Sequence, residues 1–232
     1  MNGISINKYI SSTGFCSRRE AEKYLEEERV TINDQIATIL HRVFEGDRVA
    51  IDGEIVKVIE SKTYIVFFKP IGVTCTTDLK DKTSIIHFIN HSKRIFPIGR
   101  LDKDSSGLIL LTDDGDIVND LLRFENQHEK EYMVRVNRPL DKDFVSKMEG
   151  GLRILGQKTK PCKVKVMLKN QFKIILKQGL NRQIRRMCFQ LGYQVTDLMR
   201  VRFKNIQLGA LKVGKWRNLS EEEVIKLKSK AL

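Results

Sequence analysis

The chain has 232 residues, 41% of them apolar and 31% charged, with a formal net charge of +13 at pH 7. That length holds one large domain or a large and a small one, and that charge calls for a polyanionic partner, either nucleic acid or an anionic membrane surface. No apolar run approaches the roughly 20 residues that cross a bilayer, and the opening MNGISINKYI lacks a basic-then-apolar signal, so a soluble cytoplasmic protein is expected, with no membrane partner.

Residues 1–60 hold 8 Lys and Arg against 11 acids (net −3), whereas the remainder holds 34 against 18 (net +16). Within the first part, INKYISSTGF predicts a short helix carrying Ile6, Tyr9 and Ile10 and stopping at Gly14. A second helix is expected from Ser17, with Glu20 completing a capping box and Ala21, Tyr24 and Leu25 giving the apolar face. Arg18 and Arg19 fall in its first turn, where the helix dipole disfavours cations. They read equally as solvated surface residues or as phosphate contacts at a helix N-terminus. VTIND, DRVAID and EIVKVI predict short strands joined by turns.

ESKTY reads as a linker, which divides the chain into residues 1–60 and 61–232. Beyond it, strands are expected in TYIVFFKPIGVTCTT, SGLILLTDDG, KEYMVRV, CKVKVML, FKIILKQG and LMRVRFKNIQL. Helices are expected in SIIHFIN, DIVNDLLR, DKDFVSKM, NRQIRRMCFQLG and after Ser220, which has Glu223 at its capping-box position. Strands and helices mix without strict alternation, so the fold class is α+β with a largely antiparallel sheet. Cys16, Cys75, Cys162 and Cys188 form no C-x-x-C pair and the four histidines are scattered, so free thiols and no metal site are expected.

Three readings compete for Asp102 in IGRLDKDSSGLILLTDDG. Asp102, Asp104, Ser106, Gly107, Ile109 and Asp113 fit the spacing of a calcium loop. That loop needs flanking helices, but Pro97 and Gly99 break the incoming one and GLILLT reads as a strand. A solvated turn accounts for Asp104, Asp113, Asp114 and Asp116, and less well for Arg100 and Asp102 set tightly against a buried strand. A catalytic carboxylate needs a cation to hold it ionised and an aromatic or aliphatic wall to exclude water. QGLNRQIRRM supplies Arg182, Arg185 and Arg186, and EKEYMVRV supplies Tyr132.

Taken together and in order, KPIG, GRLDKDSSGLILLT, HEKEYMV and QGLNRQIRRM resemble the motif segments of the bacterial pseudouridine synthases that modify ribosomal RNA. INKYISSTGFCSRREAEKYLEEERVTIND with EGDRVAIDG resembles the S4-type RNA-binding domain that such enzymes carry. HSKRIFPIGRLDKDS and ILGQKTKPCKVK are similar to the branch called large-subunit pseudouridine synthase F. The resemblance implies a small S4-like α/β domain over 1–60 and a catalytic domain over 61–232. It implies an isomerase that converts uridine to pseudouridine without a cofactor. The implied partner is large-subunit ribosomal RNA, with a transfer RNA as a further candidate, and a monomer is expected. A non-catalytic S4-type RNA-binding protein of ribosome assembly is the alternative.

Among residues, the resemblance makes Asp102 the essential carboxylate, Arg185 its partner, and Tyr132 and Ile184 the neighbours of the base. Lys69 and Pro70 match the segment that shapes the pocket floor. Arg182 and Arg186 are left as phosphate contacts. Arg100 is expected either to fill the space of a flipped-out base or to form a structural salt bridge.

Overall fold

The computed structural model describes residues 3–58, 61–122 and 128–229. The chain divides into two compact units, the first comprising residues 1–63 with 91–95 and 113–115, the second the remainder.

In the first unit the elements run β1 (Ile4–Ser5), α1 (Ile6–Ser12), α2 (Arg18–Glu26), β2 (Val30–Ile32), β3 (Gln35–Ile36), β4 (Arg42–Val43), β5 (Val49–Ile51) and β6 (Glu54–Ile55). Ser17 caps α2 as its spacing predicts, accepting from the Glu20 N–H while the Glu20 carboxylate accepts from the Ser17 N–H. Strands β3-β2-β5-β6 form an antiparallel sheet. The β2–β3 hairpin turns through Asn33 and Asp34, both at positive φ, the conformation that Asn and Asp tolerate best after glycine. Ile6, Ile10, Ala21, Val30, Val43 and Ile51 form the core. The strand expected across EIVKVI is shorter, Glu54–Ile55, and Glu60 of the expected linker lies outside the described residues.

The second unit continues with β7 (Tyr64–Lys69), α3 (Ile85–Ile89), β8 (Phe96–Ile98), β9 (Ser106–Thr112), α4 (Gly115–Leu122), β10 (Lys130–Val136), α5 (Phe144–Glu149), β11 (Arg153–Ile154) and β12 (Gln157–Lys158). It ends with β13 (Lys163–Leu168), β14 (Gln171–Leu176), α6 (Gln183–Gln190), β15 (Val195–Phe203), β16 (Ile206–Gln207), β17 (Trp216–Asn218) and α7 (Glu221–Lys228). Arg123, the last residue of the expected helix DIVNDLLR, lies outside the described residues. Among the described residues one large sheet runs β13-β14-β10-β15-β9-β7-β17, with β8 on β9 and β16 on β15. Its pairings are antiparallel except where β15 meets β9. The run expected as one strand, LMRVRFKNIQL, folds back as β15 and β16 around Lys204, which sits at φ 51.

Gly107 lies at the parallel contact, opposite Arg200, with φ +106. A Cβ there would stand 2.5 Å from the Arg200 amide nitrogen and closer still to its carbonyl oxygen, so a glycine is required for β9 and β15 to approach.

Strand β10 is clamped on both sides by one carboxylate. Glu131 reaches Lys173 of β14 at 2.7 Å and Arg202 of β15 at 2.8 Å. Burial alone would raise the Glu131 carboxyl, but the hydrogen bonds from Lys173 and Arg202 outweigh it and hold it below its ordinary 4.5. A depressed carboxyl stabilises the fold above the unfolded value, and that contribution fades as pH falls through the lower folded value. Glu131→Gln is therefore expected to melt below wild type at pH 7, with the gap closing as the pH is taken below about 4.5. A gap unchanged between pH 7 and pH 3 would assign the loss to packing.

Candidate active site

Asp102 sits in the loop between β8 and β9, and its backbone is pinned from two directions. The Ser105 N–H donates to the Asp102 carbonyl at 3.1 Å, closing a turn. The Leu101 N–H donates to Cys75 Sγ at 3.4 Å, and the Gly72 N–H donates to the Lys103 carbonyl at 2.8 Å. The 72–75 segment thus braces the loop from behind. The Asp102 side chain is 34% exposed and stands in the wall shared by two cavities of about 630 and 580 Å³.

Lys69 holds that brace and does not line either cavity. Its side chain is wholly buried, and its ammonium donates to the carbonyls of Pro70 and Val73, both at 2.9 Å. Burial pushes its pKa down, against the pull of Cys75, Asp104 and Asp102. The expectation that Lys69 and Pro70 shape the substrate pocket is corrected accordingly: Pro70 also lines neither cavity, and Ile71, Gly72, Thr74 and Cys75 provide that surface of the larger one. A lysine at the end of a buried strand can reach back to its own turn carbonyls, and once there it is sealed from solvent.

The arginines divide differently from the expected pairing. Arg182, not Arg185, faces Asp102, with Nη1 3.6 Å from Oδ2. Its guanidinium also grips Asp104 in a fork, Nη1 to Oδ1 at 3.0 Å and Nη2 to Oδ2 at 2.8 Å. Arg182 sits at φ 50, which delays the start of α6 to Gln183. Arg185, in the first turn of α6, is half-buried, and its Nη2 donates to the Asp104 carbonyl at 2.7 Å and to Ser105 Oγ at 3.2 Å. Its Nε lies 3.4 Å from Asp104 Oδ2 without making a hydrogen bond. The pairing of Arg185 with Asp102 is thereby corrected: Arg185 orders the backbone that follows the aspartate, because the helix start aims it one turn of loop beyond. Arg186 lines neither cavity and binds its own loop, donating to the Asn181 carbonyl and Oδ1.

These contacts also decide between the readings of Asp104. The Arg182 fork, the largest influence on it, holds the Asp104 carboxyl below its ordinary value. A carboxylate so engaged serves an ion pair.

The smaller cavity is also lined by Tyr132 of β10 and Ile184 of α6. Ile184 is buried in the core and Tyr132 packs partly against that core, so the lining that Asp102 shares includes an aromatic ring and an aliphatic chain. Arg100 is exposed, borders both cavities, and has no hydrogen bond or ion pair among the described residues, so the salt-bridge reading of it does not hold. Arg18 and Arg19 belong to the first unit, exposed in the first turn of α2. Sequence reasoning missed His128, Lys130 and Arg200, which line the smaller cavity, and buried Ser105, which receives Arg185. Lys130 carried a signal, two residues from Tyr132 on one strand face. Arg200 carried none, since a basic residue in a strand reads as a solvated one.

The separate contacts of the two arginines give separate expectations. Arg182→Met removes the cation nearest Asp102 and should cut turnover at least about tenfold, because the charge beside the carboxylate is lost. Arg185→Met should instead lower thermal stability, leaving Asp104 and Ser105 without their buried donor. The reverse allocation, read by steady-state kinetics and melting of both variants, would restore the Arg185–Asp102 pairing.

A family model described as RNA pseudouridylate synthase matches residues 63–190, and an S4 domain model matches residues 5–49. The chain is 47% identical over 228 residues to the dual-specificity RNA pseudouridine synthase RluF of Escherichia coli (strain K12), covering 97% of this chain and 79% of that protein. It is 35% identical over 235 residues to the ribosomal large subunit pseudouridine synthase B of Bacillus subtilis (strain 168), covering 97% and 96%. A crystal structure of a pseudouridylate synthase matches with a TM-score of 0.71 at 27% identity, covering 97% of this chain and 99% of that one.

Proposed function

The chain belongs to the RNA pseudouridylate synthase family, and from that premise we propose that it isomerises a uridine of large-subunit ribosomal RNA through Asp102. The observation that carries the residue assignment is the Asp102 carboxylate, its loop braced from behind, bordering a cavity that Tyr132 and Ile184 also line. Planar bases stack on such a wall.

The reaction breaks N1–C1′, turns the uracil, and joins C5 to C1′. C5 loses a proton and N1 gains one, so the product is an isomer and no oxidant is consumed. Asp102 is placed to act on the sugar or the base, or to assist departure of the base as an anion. Arg182 stands beside it, Nη1 3.6 Å from Oδ2. A uridine inside a helix exposes neither C1′ nor C5 to a side chain, so the target is flipped out or unpaired, at a cost of a few kcal/mol that is least in loops. Arg100, exposed, lining the cavity and without a partner among the described residues, suits the vacated space or the phosphate backbone.

The S4 match supports assigning RNA docking to residues 1–60, with Arg18 and Arg19 as phosphate contacts, and the chemistry to 61–232. The relative named for dual specificity supports a second RNA substrate, for which a transfer RNA is the candidate. The working species is a monomer of the cytoplasm.

Large-subunit and small-subunit ribosomal transcripts incubated separately with the protein test the substrate class. Pseudouridine should appear in the first alone. Removing residues 1–60 should raise the RNA concentration needed for half-maximal turnover, with a smaller change in the maximal rate. Equal modification of both transcripts would refute the large-subunit assignment, and an unchanged RNA requirement would refute the docking role.

A further inference from the structure

The lining of the smaller cavity includes two cations, Lys130 and Arg200, that have no acidic partner among the described residues. Lys130 and Tyr132 are two residues apart on β10 and so share one face of the sheet. Arg200 of β15 is the register partner of Tyr132, so it joins that face. All three line the cavity that Asp102 borders.

Arg200 is only 4% exposed, and its Nε donates to the Leu108 carbonyl at 2.7 Å. No other hydrogen bond or ion pair holds its guanidinium among the described residues, which leaves the terminal nitrogens for the cavity. Lys130 likewise has no carboxylate partner among them. Both cations stand near the Phe203 ring, Lys130 Nζ at 5.7 Å and Arg200 Cζ at 5.8 Å from its centroid.

Two like charges in one desolvated wall are costly unless an anion joins them. Burial pushes the Lys130 ammonium pKa down and Arg200 adds to the push, so a bound anion would relieve both. Three other cations near Asp102 are already engaged: Arg182 grips Asp104, Arg185 the 104–105 segment, and Lys69 its own turn, while Arg100 is exposed to solvent, where its charge needs no partner.

We propose that Lys130 and Arg200 form a subsite for one phosphate group of the target nucleotide, seated beside the base on Tyr132. A uracil anion is the other candidate charge, but it exists only transiently, whereas these cations need a permanent one. A phosphate offers several oxygens to a forked guanidinium and an ammonium together. The proposal rests on the reading of this cavity as the nucleoside site.

Uridine, 5′-UMP and 3′-UMP titrated into the full chain, with the Tyr132 ring resonance as reporter, test it. One of the two nucleotides should bind about tenfold or more tighter than uridine, the scale of a charge-assisted hydrogen bond. Lys130→Gln should bring that ratio close to one, while Lys130→Arg, which keeps the charge, should preserve it and thereby exclude a folding defect. Equal binding of uridine and both nucleotides to wild type would overturn the phosphate subsite and leave the nucleoside cavity standing. So would Lys130→Gln slowing RNA turnover with the nucleotide preference intact, since the cation would then serve the base. If no ligand perturbed Tyr132, the nucleoside reading would fall and the subsite with it.

Discussion

Asp102→Asn is expected to lose turnover by about a hundredfold to ten-thousandfold or more, the range seen when a reacting carboxylate or base is removed. The amide matches the carboxylate in shape, so neither fold nor RNA affinity should move appreciably. What changes is the charge and the nucleophilicity of a group that lines the same cavity as Tyr132 and Ile184. The backbone that presents it is held by the Ser105 and Gly72 amides and by the Cys75 sulfur, contacts that do not involve the carboxylate. Arg182 loses a partner at 3.6 Å but keeps its fork on Asp104, so the loop stays in place. RNA binding measured beside single-turnover rates separates the two effects. A variant that binds RNA normally and still isomerises at near-normal rate would remove Asp102 from the chemistry.

Gly107→Ala is expected to be the most damaging single methyl. Gly107 adopts φ +106, which costs a non-glycine residue about 1–3 kcal/mol by itself. The added carbon would also press into the backbone of Arg200, where neither strand can yield without opening the β9–β15 contact. The two together should destabilise by roughly 3–5 kcal/mol, a drop in melting temperature on the order of 10 °C for a chain of this size. The same movement would shift Arg200 and, two residues before Gly107, Ser105, so residual activity should fall further than stability alone explains. Thermal melting with RNA turnover measured below the transition checks both. A loss under about 1 kcal/mol would mean that the two strands part more easily than this contact implies.

Features that depend on a few consecutive residues were legible in the sequence. The capping boxes at Ser17 and Ser220 are local hydrogen-bond arrangements, and each forms at its spacing. The alternation in KEYMVRV placed Tyr132 on a strand, and the apolar run SGLILLT became a buried strand of the large sheet. Asp102 stood out because Arg100, Leu101 and Asp102 crowd one side of that run. Partners across the fold were not legible. Arg182 and Arg185 are three residues apart and chemically identical, and only the positive φ of Arg182 decides which reaches the carboxylate. Lys69 looked available because lysine usually is; its burial follows from a turn that folds Pro70 and Val73 back onto it. The β15–β16 turn was hidden because its positive-φ residue is a lysine, which carries none of the usual turn chemistry.

The claim at the centre of this account is that the protein makes pseudouridine in large-subunit ribosomal RNA and needs Asp102 to do so. Mapping pseudouridines in that RNA from cells that lack the protein, and from the same cells supplied with wild type or with Asp102→Asn, tests it in one measurement. At least one pseudouridine is expected to disappear on deletion, return with wild type, and stay absent with Asp102→Asn expressed at the same level. An unchanged map on deletion, or full restoration by the asparagine variant, would contradict it.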